Sequence, residues 1–328
     1  MAETVIEAKG LVKKYGELEA VAGIDLEVRG GEIFGFLGPN GAGKSTTISM
    51  LCTLLGPTAG VARVAGIDVV HDPAAVRQRI GLVFQDPSLD DQLTARENLE
   101  FHAFIYSVPA TDRRRRIDEM LAMMQLTDRA SSQVKTFSGG MKRRLEIARG
   151  MLHQPQILFL DEPTLGLDPQ TRKSIWIHLN ELRGNKGVTI FMTTHYMDEA
   201  EYCDRIAIID HGKIVAVGTP DELKAMVGGD VVTITSNQPD VAAREITELL
   251  GVVPARDNGT LRMEVADGKA FVPRLVRELT APVETVSLRR PSLDDVFLKL
   301  TGRAIRDEEM STRDFNRQLA SRWMGRRR

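Results

Sequence analysis

Short apolar runs rich in branched residues alternate with stretches of helical period as far as about residue 228, the pattern of a layered α/β domain. Ile33-Phe34-Gly35-Phe36-Leu37 reads as a buried strand and Lys44 to Leu55 as the helix that follows it. Ile80 to Phe84, Ile157 to Leu160, Val188 to Met192 and Arg205 to Ile209 add strands that suit one largely parallel sheet. Ile214 to Val217 returns across the His211-Gly212 turn as a short edge hairpin. Between Gln85 and Ser138 the period changes. Thr94 to Tyr106 and Asp112 to Leu126 read as helices with no strand between them, a helical insertion over about residues 86–153.

Gly228-Gly229 punctuates the chain, and the segment after it has its own rhythm. Strands are expected at Val231 to Thr235, near Val252-Val253, at Leu261 to Val265 and at Val283 to Arg289, with helices at Val241 to Leu250 and Lys269 to Leu279. This is the βαββαβ order of a ferredoxin-like half-sandwich. Leu293 to Leu300 reads as a short helix whose Leu293, Val296, Phe297 and Leu300 form one stripe suited to core packing. The expected division is therefore a first domain over residues 1–228, a small α+β domain over 229–302 and a tail over 303–328. From Thr301 onward the chain carries eight Arg against four acids. Phe315, Leu319 and Trp323 form a stripe among those arginines that fits an anionic membrane surface, and a disordered appendage is the competing reading.

Composition narrows the class. At 328 residues the chain has room for about two domains, and 42% hydrophobic with 27% charged residues is the balance of a globular protein rather than a disordered one. Runs such as Ile157-Leu158-Phe159-Leu160 fall far short of the roughly 18–20 apolar residues that cross a bilayer. The N-terminus has no apolar signal region, so the expectation is a cytoplasmic chain that does not span a membrane itself. Cys52 and Cys203 are too few for a disulfide framework or a structural zinc site. A net charge of −2 argues against a nucleic-acid partner. The run Arg113 to Arg116, flanked by Asp112, Asp118 and Glu119, reads as a solvated helix face.

The chemistry concentrates at two places. Gly38-Pro39-Asn40-Gly41-Ala42-Gly43-Lys44-Ser45 fits G-x-x-x-x-G-K-[ST] between a strand and a helix. Such a loop turns backbone N–H groups inward around a polyphosphate, and the helix N-terminus adds partial positive charge. Lys44 is expected to reach the β- and γ-phosphates and Ser45 to ligate Mg²⁺, with Thr46 adjoining the same phosphate site. Downstream, the apolar strand Ile157 to Leu160 delivers Asp161 and Glu162 to its C-terminal end, where α/β sheets bind ligands. Successive strand side chains point to opposite faces, so Asp161 suits the Mg²⁺ shell and Glu162 suits the general base that polarises the attacking water.

Phe137-Ser138-Gly139-Gly140-Met141, just before that strand, resembles the LSGGQ signature of ATP-binding-cassette transporter subunits, and the motifs from about residue 4 to 228 follow in that family's order. The resemblance implies a P-loop core with a helical subdomain and antiparallel β elements, and ATP with Mg²⁺ as ligands. It further implies Tyr15 as the aromatic stacking on adenine, Gln85 as the Q-loop residue touching Mg²⁺, Asp168 as the D-loop residue and His195 as the switch histidine near the γ-phosphate. Ser138, Gly139 and Gly140 would meet the partner's nucleotide in a head-to-tail homodimer that sandwiches two ATP molecules. Phe137 and Met141 depart from the signature Leu and Gln, and Met141 lacks the hydrogen-bonding capacity of Gln.

Lys142-Arg143-Arg144 and the stretch Ser292-Leu293-Asp294-Asp295-Val296-Phe297-Leu298 resemble the daunorubicin- and doxorubicin-resistance type of drug-export ATPase, whose LDEVFL-like motif carries Glu where Asp295 stands. That type implies a separate transmembrane permease subunit, docking near Gln85 to Glu100, and a peripheral place on the cytoplasmic face of the membrane. The rival readings are a non-transport cassette ATPase of translation or DNA repair, which lacks support from a second cassette or a long insertion, and a module in which ATP is only structural. Glu162 and His195 argue against the latter.

Overall fold

In the computed structural model, which describes residues 3–257 and 260–302, the chain opens with two strands, β1 (Thr4–Tyr15) and β2 (Leu18–Arg29), paired antiparallel. Ile24, Leu26 and Val28 turn inward from β2 while Asp25, Glu27 and Arg29 face out, the period-2 pattern of a half-buried strand. β3 (Ile33–Leu37) is buried along its whole length, as a central strand covered on both faces must be. It feeds α1 (Lys44–Leu51), which stops short of the expected Leu55 because Thr53 takes a left-handed φ of 62°. β4 (Ala59–Val64) and β5 (Ile67–Asp68) complete an antiparallel sheet in the order β2-β1-β4-β5.

α2 (Pro73–Arg79) leads into β6 (Ile80–Val83), and then come the helices of the insertion: α3 (Ala95–Ile105), α4 (Ala110–Met123) and α5 (Gly139–Met151). β7 (Ile157–Asp161), α6 (Pro169–Lys186), β8 (Thr189–Thr194), α7 (Met197–Ala200), β9 (Arg205–Asp210) and β10 (Lys213–Gly218) follow. The second sheet runs β10-β9-β3-β8-β7-β6, parallel from β9 to β6. Phe34, Phe36 and Phe159 gather around Phe191 with ring centroids 5.4–5.7 Å apart, a packed floor for the strand ends above.

A separate compact unit begins at Gly218 rather than at Gly228-Gly229. It contains α8 (Pro220–Ala225), β11 (Asp230–Thr235), α9 (Pro239–Glu245) with a π turn at Ile246–Leu250, β12 (Ala255–Asp257), β13 (Thr260–Val265), α10 (Gly268–Glu278), β14 (Thr285–Arg289) and α11 (Leu293–Thr301). α8 belongs here because it packs on α11, and Lys299 Nζ donates to the Val227 carbonyl at 2.6 Å.

The sheet order β12-β13-β11-β14, antiparallel throughout, is the ferredoxin-like one. The strand expected at Val252-Val253 lies instead at Ala255–Asp257, because Gly251 (φ 70°) ends the preceding turn and Val253 is exposed. Leu293, Val296 and Phe297 are buried as the stripe requires, but Leu300 is 40% exposed near the end of α11. Phe315, Leu319 and Trp323 lie outside the described residues.

Candidate active site

β3, β7 and β8 are neighbours in the parallel sheet, so their C-terminal ends bring three distant stretches of sequence to one edge. Gly38 continues β3, its N–H donating to the Thr194 carbonyl at 3.2 Å. The loop closes over Gly43, whose φ is 107° and where a Cβ would stand 2.5 Å from the Ala20 carbonyl oxygen of β2. Only glycine suits both the backbone conformation and that approach. Asn40 and Gly41 are exposed, whereas Gly38, Pro39, Ala42, Gly43 and Lys44 are buried.

Lys44 Nζ donates to the carbonyls of Gly38 (2.8 Å) and Pro39 (3.0 Å) and lies 3.3 Å from Glu162 Oε1. Burial pushes its pKa down, opposed by the charge and hydrogen bond of Glu162. His195 Nδ1 stands 3.1 Å from the same Glu162 oxygen. Burial alone would raise the Glu162 pKa. The His195 hydrogen bond and the Lys44 charge outweigh it and hold the carboxyl below its ordinary value. An ionised carboxylate between a lysine and a histidine can accept a proton from water.

Glu162 also carries a φ of 44°, a region that non-glycine residues enter at a cost and that clusters at functional sites. Its N–H is held by Thr193 Oγ1 at 3.0 Å. The same Thr193 hydroxyl donates to Asp161 Oδ1 at 2.5 Å, and Ser45 Oγ donates to that oxygen at 3.3 Å. Ser45 and Asp161 thus form a pair of hard oxygen donors at the start of α1, the donor set that suits a Mg²⁺ sharing its shell with substrate phosphates. Thr46 is half-buried in the first turn of α1.

The other predicted residues are less closely gathered. Gln85 lies two residues past the end of β6, beside β7; it is exposed, and its side chain makes no hydrogen bond among the described residues. Tyr15 is 46% exposed at the end of β1, with Lys13 Nζ 5.4 Å from its ring centroid. Asp168 caps α6, accepting from the N–H groups of Gln170 and Thr171, and these bonds with the Thr171 hydroxyl lower its pKa. Ser138 caps α5 by accepting from Met141 N–H at 3.3 Å. The helix therefore starts at Gly139, with Ser138 and Gly139 exposed and Gly140 buried. A Cβ on Gly140 would meet Thr171 Cγ2 at 2.3 Å, so this glycine sets how closely α5 approaches α6.

Two buried groups escaped the sequence reading. Glu199, two residues past the start of α7, accepts from the Thr164 hydroxyl and from Thr194 Oγ1 (2.9 Å), joining the segment after Glu162 to the residue before His195; burial raises its pKa. Arg143 is 6% exposed and donates to three backbone carbonyls. A charged residue on a helix gives little sign of burial except the partners it finds, and the carbonyls Arg143 reaches are remote in sequence. The arginine run of α4 pairs with acids of its own helix, Arg115 with Asp112 and Glu119, and Arg116 with Asp112.

Known proteins match both units. The family model of the ABC transporter matches residues 21–165, and that of the C-terminal domain of DrrA1-3-like ATP-binding proteins matches residues 218–301. The daunorubicin resistance ATP-binding protein DrrA3 of Streptomyces coeruleorubidus is 43% identical over 308 residues, covering 92% of this chain and 97% of that one. The Nod factor export ATP-binding protein I of Ralstonia nicotianae is 40% identical, over 92% and 95% of the two chains. Among solved structures, the ATP-binding cassette MJ0796, as a dimer in a post-hydrolysis state bound to ADP and Pi, covers 65% of this chain and 98% of its own, with a TM-score of 0.59 and 31% identity. The chain belongs to the ATP-binding-cassette transporter family, as an ATP-hydrolysing subunit with a DrrA-like C-terminal domain.

Proposed function

We propose that this chain hydrolyses ATP on the cytoplasmic face of the membrane to power export of a drug, an antibiotic or another hydrophobic compound through a separate membrane permease. The observation that carries the catalytic part is Glu162, ionised, strained and buried between Lys44 and His195 at the end of β7. In this reading Glu162 takes the proton of the attacking water, and Lys44 draws the β- and γ-phosphates against the loop Gly38 to Gly43. His195 holds the Glu162 carboxylate and faces the γ-phosphate. Tyr15 stacks on adenine, and Gln85 completes the site from the end of β6. Ser45 and Asp161, with Gln85, would hold Mg²⁺, which supplies neutralising charge at the phosphates.

The exposed N-terminus of α5 at Ser138-Gly139 supports a second phosphate-facing surface, since a helix start presents unpaired N–H groups. One P-loop and one such surface per chain fit a homodimer enclosing two ATP molecules, with Asp168 at the junction. Among the described residues no helix is long and apolar enough to cross a membrane, in keeping with a partner subunit that does. Phe101, Phe104 and Ile105 lie exposed along one side of α3, next to the stretch Gln85 to Glu100 where the permease is placed. The drug-export assignment rests on likeness to the daunorubicin resistance protein across both units.

The test is reconstitution. The purified chain should turn over Mg-ATP, and Glu162→Gln should accumulate as an ATP-bound dimer in gel filtration. Co-expression with its membrane subunit should lower cellular drug accumulation only with the wild-type chain. Equal accumulation with Glu162→Gln would remove the export reading.

A further inference from the structure

The helix that opens with Ser138 is fastened to both halves of the candidate site by side chains on one of its flanks. Arg143 Nε donates to the Pro163 carbonyl at 2.7 Å, Nη2 to the Asp161 carbonyl at 2.9 Å and Nη1 to the Phe84 carbonyl at 2.5 Å. Its charge is met by Glu146 Oε2 at 3.3 Å, itself fully buried. One turn further on, Glu146 Oε1 accepts from Ser88 N–H at 2.8 Å, and Arg149 donates to the Ser88 carbonyl (2.7 Å) and hydroxyl (2.6 Å). The segment 84–88, which carries Gln85, has no regular partner strand or helix of its own. It is held by α5 instead.

We propose that Arg143 is a positioning residue for ATP hydrolysis. Its guanidinium fixes the loop carrying Gln85 and the turn carrying Glu162 in one arrangement relative to the helix opened by Ser138. The planar fork is what makes this possible. Five N–H donors in fixed geometry reach three carbonyls on two separate segments at once, which the point charge of a lysine does not. Asp161 and Pro163 flank Glu162 on either side, so anchoring both their carbonyls pins the backbone at the strained residue itself. Phe84 is the residue before Gln85, so the third bond pins the other loop. In the head-to-tail dimer proposed above, on which this inference rests, the same arginine connects the surface facing one nucleotide with the carboxylate acting on the other.

Because Arg143 binds backbone near the reacting groups without touching substrate, its loss should appear in turnover rather than in nucleotide binding. Arg143→Gln and Arg143→Lys are expected to lower kcat at least about tenfold while the KM for Mg-ATP changes by less than about twofold. Hydrogen exchange at amides 84–88 should quicken in both variants while the amides of β3 keep their protection. Removing the arginine strands Glu146, so the double variant Arg143→Gln with Glu146→Gln guards against simple unfolding. It should recover thermal stability without recovering kcat.

Wild-type kcat in folded Arg143→Gln would overturn the proposal. So would restoration of kcat in the double variant, which would reduce Arg143 to a counter-charge for Glu146, and so would unchanged exchange at 84–88. Glu162→Gln run in parallel separates this inference from the site reading. Its inactivity beside fully active Arg143 variants would discard the positioning role alone, whereas full turnover by Glu162→Gln would discard the role of that carboxylate and the linkage to it together.

Discussion

Glu162 in the first unit, the base in the proposed reading, and Asp295 in the second are both buried carboxylates beside cations, yet their surroundings differ. Asp295 is saturated. It accepts from Arg262, from both nitrogens of the Arg289 fork, and from the N–H and hydroxyl of Ser292. Arg262 and Arg289 stand on β13 and β14, opposite Thr233 and Val231 of the intervening β11, so the carboxylate of α11 straps the helix across three strands. Burial would raise its pKa, and the Arg289 and Ser292 hydrogen bonds drive it far below the ordinary carboxylate range instead.

Among the described residues the Glu162 carboxylate has only Lys44 and His195 for company, at 3.3 and 3.1 Å, and it sits on a strained backbone at the open end of the sheet. Every lone pair of a structural carboxylate is best occupied, because an unmet one costs free energy. A carboxylate that must take a proton from water has to keep capacity in reserve. In the proposed reading, saturation of hydrogen bonds, more than burial or charge, separates the two carboxylates.

The most forceful way to break the comparison is to neutralise each acid. Glu162→Gln should reduce kcat by about 10²–10⁴ through loss of the base, with ATP affinity and melting temperature nearly unchanged in equilibrium binding and calorimetry. Asp295→Asn should do the reverse. Leaving Arg262 and Arg289 without their acceptor should destabilise the second unit by about 2 kcal/mol, less than the roughly 3–5 of a fully buried pair because Arg289 is partly exposed. Turnover, whose proposed groups all lie in the first unit, should hold. Urea unfolding and steady-state kinetics on the same preparations check both expectations.

Acid sharpens the contrast by a smaller amount. A carboxyl held below its unfolded pKa contributes stability that is present above the unfolded value and is lost as pH falls through the folded one. Both acids obey this sign, and Asp295 is displaced farther. The second unit should therefore weaken steadily below roughly pH 4, the ordinary Asp value, and Asp295→Asn should flatten that dependence in melts taken at successive pH values. The least effect is expected at the edge of the strap. Leu300→Ser, at a position already 40% exposed, should change stability by less than about 0.5 kcal/mol, and a larger loss in thermal melts would show that the apolar stripe of α11 is covered to its end.

The sequence by itself placed the motifs of the proposed chemistry, because each is local along the chain. The loop Gly38 to Ser45, the pair Asp161-Glu162 and the run Ser138 to Gly140 are contiguous, each bounded by a strand or helix readable from its period, so both residue type and setting were legible. The βαββαβ order of the second unit was legible for the same reason, and only β12 and the boundary at Gly218 moved. The positions of β1, β2, β4 and β5 went unread: register shifts break the pairings of β1 with β2 and β4, and the plain alternation from Ile24 to Arg29 covers only half of β2. Only the tertiary structure decided that Lys44 and His195 meet at one oxygen of Glu162, that Gly140 must make room for Thr171, and that Arg143 and Asp295 are hubs rather than surface charges. Many partners of a buried charge come from elements tens of residues apart, and a sequence displays spacing along one chain but not which distant carbonyls and guanidinium groups the packing of sheets and helices will bring together.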